Sequence, residues 1–587
     1  MPTLVALPAL AAIALSTPLS PAWSRRLTLG VMLLTAAIAW SLVGVDLDHG
    51  VRLWRAAWIP SLGAEALLGL DGLNLPLVLL TASLCPLALI ASGSVTNRVR
   101  TYCALLLLLE SGTLAVFLAM DFVLFYVAWE LLLVPMYLLI AVWGGAERMA
   151  AAVRFFVYTL AGGLLLLAGG LIAYSYSDLT TLSAPQLAAS GVLGPVAVAS
   201  DDPTAALEAW TESADPGAQR FTRAEASAEP ARTFNLLALV ASAEQTDALS
   251  GVGPFGKSAE WWLFALLLGG MAIKLPAVPL HTWLPRAHVE APTGVSMLLA
   301  GVLLKLGGYA LVRIAWPLCP TAACELAWLV AGLGGVSIVW GALAALAQDD
   351  MKRLVAYSSV SHMGYVLLGL AAGAGATGSG ASAGWDADTW RIGASGAVFQ
   401  MVAHGVTSAG LFYCVGLLYE RCGHRDLRRL GGLFNPMPLA SGMAVVLLIA
   451  SLGAPGLCGF VGELLTLLAA WDAHPVAVTL AAIGTILTAA YILRATRLAY
   501  FGPVYRGDDT AQLTPLRPAE LFVLTPLVLA AVTLGVRPQP LLDTIDKPLT
   551  ASAESLAART GEPPLVAAVL SPPGSSTEPP TDAADAR

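Results

Sequence analysis

Read along its alternation of apolar and polar positions, the chain is a succession of hydrophobic stretches of about 20 residues, the length at which a helix crosses roughly 30 Å of hydrocarbon. Fourteen are predicted as helices, at about 3–20, 26–45, 71–92, 101–120, 122–143, 155–174, 261–283, 293–313, 325–347, 354–373, 394–418, 440–470, 475–500 and 518–537. Two of them are interrupted. The seventh is broken by Pro276 and Pro279 within AIKLPAVPLHTWLP, and the twelfth by Gly453, Pro455 and Gly456 within SLGAPGLCGFVGE. Corresponding Gly/Pro breaks in two halves point to inverted repeats whose broken helices open the backbone at the membrane midplane; the alternative is a pair of packing kinks.

Two segments fall outside the apolar rhythm. The connection 176–260 carries eleven acids against four bases and is rich in Ala, Ser and Pro, which predicts a solvated, poorly ordered outer loop. From about 538 the chain turns Pro-, Ser- and Glu-rich and ends in SPPGSSTEPPTDAADAR, which reads as a disordered tail over 538–587. Arg25/Arg26, Arg98/Arg100, Arg148/Arg154, Arg286, Lys352/Arg353, Arg421/Arg425/Arg428/Arg429 and Arg497/Arg506 occupy alternate connections. Short cytoplasmic loops carry the excess of Lys and Arg, so both termini are expected on the outer side. No basic region precedes the first apolar stretch, so that stretch is expected to stay in the mature protein.

Composition agrees with a multi-pass all-α membrane protein: of 587 residues 57% are hydrophobic and 12% charged, with a mean hydropathy of +0.74. The net charge of -8 sits mostly in one loop and the tail, so it makes no continuous face and gives nucleic-acid binding no support. Seven cysteines occur without a CxxC pair, so spacing argues for neither an iron–sulfur cluster nor a zinc site. Cys319 and Cys324 share a short loop and are placed to bridge if it faces an oxidising compartment, although free thiols are the better expectation.

The chemistry is carried by ionisable residues inside apolar stretches: Glu130, Lys274, Lys305, His404 and Glu463. A charge in hydrocarbon costs several kcal/mol unless paired or watered, so several at one depth point to an ion or proton route. At 1.5 Å per residue Glu130 lies about 12 Å into the fifth span and Lys305 about 18 Å into the eighth, both near mid-membrane. An acid–base pair whose separation changes also changes its hold on a proton, as a pump requires. Bland alternatives exist for each: Glu130 and Lys274 as structural partners, Lys305 snorkelling to an interface, His404 as a satisfied core histidine. His362 in SSVSHMGY is a weaker candidate. Glu110 in LLLESGTL is a further intramembrane acid with either a pathway or a structural role. His281 and His288 are expected to hold the loop at the cytoplasmic end of the broken seventh span through hydrogen bonds.

The motifs FYVAWELLLVPMYLLIAVWGG (125–145), RFFVYTLAG (154–162), AIKLPAVPLHTWLPRAHVEAPT (272–293), LAGVLLKLGGYALVR (299–313), MKRLVAYSSVSHMGYV (351–366), MVAHGVTSAGLFY (401–413) and APGLCGFVGE (454–463) closely resemble subunit M of respiratory complex I. That subunit is the bacterial counterpart of mitochondrial subunit 4 and one of three antiporter-like subunits. The resemblance covers about 71–500 apart from the long loop. It implies a fourteen-helix subunit with two inverted five-helix repeats: spans 1–3 in 1–100, a first repeat in 101–315, a second in 325–500, and a last helix at 518–537. It further implies a proton-translocating subunit of the plasma (inner) membrane, with NADH oxidation and quinone reduction in other subunits, no cofactor in this chain, and L-type and N-type antiporter-like subunits as partners. By motif, Glu130 and Lys274 form a tunable pair, Lys305 and His404 a central relay, His362 a relay member, and Glu463 the exit-side group. A glutamate at 463 and the lack of a further long apolar or amphipathic helix after 537 favour the M type. Arg286 replaces an aspartate usual in the motif, with Glu290 as a possible compensation, and Arg154 replaces a lysine and stays protonated. A multisubunit cation/proton antiporter or a membrane-bound hydrogenase is the alternative assembly.

Overall fold

The computed structural model of the chain describes residues 1–45, 47, 50–194, 202–251, 253–374, 385–502 and 513–560. All fourteen apolar stretches are helical, and among the described residues nine helices are long and apolar enough to cross a membrane. The first is short, Pro2–Ala14, about 20 Å at 1.5 Å per residue. Of the basic residues used for orientation, Arg506 lies outside the described residues.

Both predicted breaks are real. The seventh span runs as a helix over Ala259–Lys274, breaks, and resumes at Trp283–Glu290. A helix that stops inside a bundle leaves carbonyls without partners. Here the Trp283 indole donates to the Ile273 carbonyl at 2.9 Å, while Val278 N–H, inside the break, donates to Ser337 Oγ at 2.9 Å. The twelfth span is Pro438–Ser451 followed by Cys458–Ala470. Between them Gly453 and Gly456 take φ of 82° and 86°, the left-handed region where a side chain is strained. Lys274 is the last residue of its helix, where a cation complements the carbonyl end; Glu463 lies in the second turn after its break, leaning back toward it.

Glycines set how closely the central helices approach. Gly301 and Gly405 face each other across the eighth (Thr293–Leu318) and eleventh (Ala387–Cys422) spans: a Cβ on Gly405 would meet the Gly301 carbonyl oxygen at 2.8 Å and one on Gly301 the Gly405 carbonyl oxygen at 3.4 Å. That crossing brings Lys305, one turn after Gly301, against His404. The eighth span also widens into π-turns at Leu299–Leu303 and Leu311–Ala315, on either side of Lys305. Such turns cluster at functional positions because they loosen the backbone ladder.

The segment 176–260 departs from the expected disordered loop. Its described residues form short helices at Ala184–Ala189, Pro203–Thr211, Pro216–Ser227 and Leu236–Gln245 around a small core that includes Leu187, Leu193, Trp210 and Phe221. The helices start where the sequence provides caps: Asp202 and Asp215 each accept a backbone N–H just ahead of a first-turn proline, and Ser183 with Gln186 makes a capping box. This layer rests on a β-hairpin that the hydropathy pattern does not reveal, Arg52–Ile59 paired antiparallel with Ala64–Leu70. Arg55 of the hairpin binds Glu65 at 2.5 Å and Asp215 of the loop at 2.8 Å. Asp121 fastens the hairpin to the bundle, accepting Glu65 N–H at 3.0 Å while it caps the fifth span through Val123 and Leu124.

The tail is a second correction. Residues Gln539–Thr560 form a 22-residue amphipathic helix that buries Ile545, Leu549, Ala553, Leu556 and Ala557, so the absence of such a helix no longer separates M from L type. Its contacts run along the face opposite the arginine-rich loops: Asp546 pairs with Arg391, Ser555 donates to Glu244, and Arg559 donates to the Pro317 carbonyl at 2.7 Å. The remainder of the expected tail, 561–587, lies outside the described residues. Cys319 is a free thiol and is not bridged to Cys324.

Candidate functional site

Four of the buried ionisable residues lie in one line. Lys305 Nζ donates to the Ala300 carbonyl, within the π-turn, and stands 2.7 Å from His404 Nδ1. The His404 ring faces that of His362 at 5.6 Å between centroids. His362 in turn stands 3.2 Å from Glu463 Oε1 through Nδ1 and 3.1 Å from Ser451 Oγ through Nε2. All four are buried, and the line joins helices from both halves of the molecule. His362, the weaker candidate by sequence, is therefore the bridge between the lysine–histidine pair and the broken twelfth span.

Two polar partners were not apparent from charge alone. Gln400 Nε2 is 3.4 Å from Glu463 Oε1 and 3.5 Å from His362 Nδ1, and Ser451 closes the other side of the imidazole. Gln400 precedes His404 by four residues, one helical turn on the same face, which is the signal that could have found it. Close packing by glycine holds this end: a Cβ at Gly453 would meet Glu463 Oε2 at 2.7 Å, and one at Gly462 would meet Gln400 Oε1 at 2.6 Å.

Glu130 and Lys274 are both placed in the first half, within electrostatic range of each other but without a direct hydrogen bond. Lys274 Nζ has no hydrogen-bond partner among the described residues and lies 5.0 Å from the centre of the Trp129 ring; Glu130 Oε1 likewise has no partner. Glu130 Oε1 instead packs on Gly163 of the sixth span, where a Cβ would collide with it. The indole face beside the ammonium supplies a cation–π contact in place of a carboxylate. The broken helix end that carries Lys274 packs against the eighth span, because a Cβ on Gly307 would meet the Met271 carbonyl oxygen at 2.6 Å and Leu275 N at 2.8 Å. The two halves thus repeat one plan, with the second helix of each repeat (Glu130, His362) turned toward the broken fourth (Lys274, Glu463).

The remaining candidates are outside this line. Both carboxylate oxygens of Glu110 are buried without a partner among the described residues. The expectation that His288 holds its loop by ring hydrogen bonds fails: neither ring nitrogen has a partner there, and the ring stacks on Phe412 at 4.3 Å. His281 Nδ1 is also without one. Arg286 is exposed, and Glu290 does not compensate it; Glu290 Oε2 accepts the Glu147 N–H at 3.0 Å. At the basic face Asp349 collects Arg494 and Arg428, each at 2.6 Å, and these guanidiniums, Arg494 first, hold its carboxyl below the usual aspartate range.

Comparison with known proteins gives a consistent picture. The family described as NADH:quinone oxidoreductase/Mrp antiporter, TM, matches residues 119–198 and 239–488. NADH-quinone oxidoreductase subunit M of Escherichia coli (strain K12) is 34% identical over 538 residues, covering 89% of this chain and 91% of that relative. NAD(P)H-quinone oxidoreductase chain 4 1 of Nostoc sp. is 36% identical over 502 residues, 84% of this chain and 78% of its own length. Among solved structures, a chain of respiratory complex I from Thermus thermophilus with bound NADH superposes with a TM-score of 0.73 at 29% identity, over 94% of this chain and 99% of that one. A chain of the Mrp complex from Dietzia sp. shares the fold, with a TM-score of 0.70 at 22% identity over 95% and 98%.

Proposed function

Because this chain belongs to the NADH:quinone oxidoreductase/Mrp antiporter family, as a member of the subunit M (chain 4) type, we propose that protons move through it along Lys305, His404, His362 and Glu463, with Glu130 and Lys274 as the switching groups of the first half. The chain is a proton-translocating membrane subunit of an NADH–quinone oxidoreductase, and it serves that enzyme as part of the complex. The carrying observation is the two hydrogen-bond-scale contacts, Lys305–His404 and His362–Glu463, joined by the ring-to-ring approach of the two histidines. Proton transfer needs donor and acceptor within about 2.6–3.2 Å or one water apart. Lys305–His404 and His362–Glu463 meet that reach directly, and one water or one imidazole rotation spans the two rings.

Redox chemistry belongs to other subunits in this reading, and this chain holds no cofactor. Its neighbours are the L-type and N-type antiporter-like subunits, in an inner (plasma) membrane with both termini outside, the basic loops facing the cytoplasm. In Glu130 and Lys274, charge moves by changing distance: brought together they hold each other charged, and drawn apart each depends on local water. Purified complex carrying Lys305→Ala, reconstituted in vesicles, should oxidise NADH with strongly reduced proton uptake. Unaltered proton uptake in that variant would remove the reading. Membership of a redox complex is tested separately, by whether flavin and iron–sulfur subunits copurify with the tagged chain.

A further inference from the structure

Beyond the twelfth-span end of the line lies a cavity of about 280 Å³, lined by Arg391, Ser395, Leu465, Gln539, Asp543 and Asp546. It opens on the face opposite the basic loops, between the eleventh span, the second half of the twelfth, and the C-terminal helix. Leu465 is two residues beyond Glu463. Ser395 precedes Gln400 by five residues, about 7.5 Å along the helix. Both side chains point away from the Glu463–Gln400 contact, and Gly396, next to Ser395 and one turn before Gln400, packs tightly on Leu465 and Thr466, so the cavity lies behind the two helices that make that contact. Its wall is charged: Arg391 pairs with Asp546 of the C-terminal helix and stands 3.5 Å from Asp388, while Asp543 is one helical turn before Asp546. The volume suffices for a cluster of waters, each needing about 15 Å³.

We propose that this cavity is the outlet of the acid–base line, with Arg391, Asp543 and Asp546 as positioning residues that hold its water against Ser395. The inference rests on the proton-transfer reading above. Glu463 has its Oε1 committed to His362 and Gln400, and the charged wall of this cavity lies beyond the helices that carry this contact, toward the face opposite the basic loops. Carboxylates there give a departing proton an acceptor. The guanidinium orients Asp546 and limits how long the proton stays there, while the Gln539 amide donates to Asp543 at 2.7 Å. The C-terminal helix, which carries two of the wall's acids, is then part of the transfer apparatus and not only a strap.

The test uses the assembled complex with Ser395→Cys, treated in vesicles with a bulky, membrane-impermeant thiol reagent on the face opposite the basic loops. The native chain, with its seven thiols, is treated alongside as the control. Labelling of Ser395→Cys should lower proton release roughly a hundredfold relative to the same variant unlabelled, the lower end of what loss of one positioned proton-transfer step costs, with the native chain unaffected. Labelling without change in proton release, or failure of the reagent to reach the position, would overturn the outlet. Arg391→Gln and Asp546→Asn, which leave the floor intact, should each slow proton release without altering NADH oxidation by the uncoupled peripheral part. Two wild-type rates there would likewise overturn it. The Lys305→Ala variant separates the two ideas: if it stops pumping while blocked Ser395→Cys does not, only the outlet fails; if neither matters, the transfer reading fails with it.

Discussion

Replacing His362 tests the line at its narrowest point. The imidazole stands 3.2 Å from Glu463, 3.1 Å from Ser451 and 3.5 Å from Gln400, and it joins His404 to the Glu463 group. His362→Leu fills the same space with carbon, so no water can substitute for the ring. Glu463 then keeps one contact, Gln400 at 3.4 Å, and a buried charge stripped of its partner is penalised by about 3–5 kcal/mol. If only about 3 kcal/mol of that appears in the barrier to proton transfer, the rate falls by roughly two orders of magnitude. His362→Ala differs in one respect: it leaves a ring-sized gap bounded by Ser451, Gln400 and Glu463, polar enough to hold a water. The alanine variant should therefore retain a substantial fraction of pumping and the leucine variant almost none. The assay is proton translocation by reconstituted complex with a pH-sensitive dye, normalised to NADH oxidation and to assembled complex. Equal and near-native pumping in both variants would refute the line as drawn.

Lys305→Arg keeps the positive charge but not the ability to release a proton, so it should pump as poorly as Lys305→Ala while assembling normally; native pumping in the arginine variant would show that charge alone suffices. Gly405→Ala places a Cβ 2.8 Å from the Gly301 carbonyl oxygen and against Leu80, and should cost about 1–3 kcal/mol of stability, read as a lower Tm of the purified complex, together with reduced pumping. Asp349 is held below the ordinary aspartate range, so its stabilising contribution is present at neutral pH, above the unfolded value, and is lost as pH falls through the folded value. Melting curves should show an acid-side loss of stability that Asp349→Asn abolishes, and identical acid limbs would count against the Arg494–Asp349–Arg428 contact.

The spans were legible because hydrocarbon imposes one requirement, about 20 apolar residues, and this chain meets it repeatedly. Glu130, Lys274, Lys305, His404 and Glu463 were legible for the same reason in reverse: a charge within such a run is too costly to be incidental. Gln400 and Ser451 were not, since an uncharged polar side chain in a helix costs little and has many uses. The pairing of Glu130 with Lys274 was an inference from opposite charge at comparable depth and from the motif, and it left their separation open. Sequence carries no sign that Trp129 and Gly163 would take the adjoining space. Outside the membrane the signal was local rather than compositional. Asp202–Pro203, Asp215–Pro216 and Ser183–Gln186 are helix starts within a segment whose overall composition reads as disorder. Likewise Leu542, Ile545, Leu549, Ala553 and Leu556 recur every three or four residues, a stripe masked by Pro548 and the charges around it.

The crossing of Gly301 and Gly405 has a dynamic corollary. Two backbones that meet with no side chain between them work as a rivet, since sliding either helix would drive carbonyl oxygens together. Lys305 and His404 sit beside that rivet, so their mutual alignment is held by backbone packing. What is left free to move is the imidazole, the ammonium and any solvent admitted between them. These are motions faster than the microsecond-to-millisecond rearrangements of whole elements. The tempo of the centre is then set by wetting and side-chain rotation, while slower shifts in the neighbouring broken helices decide when wetting is allowed.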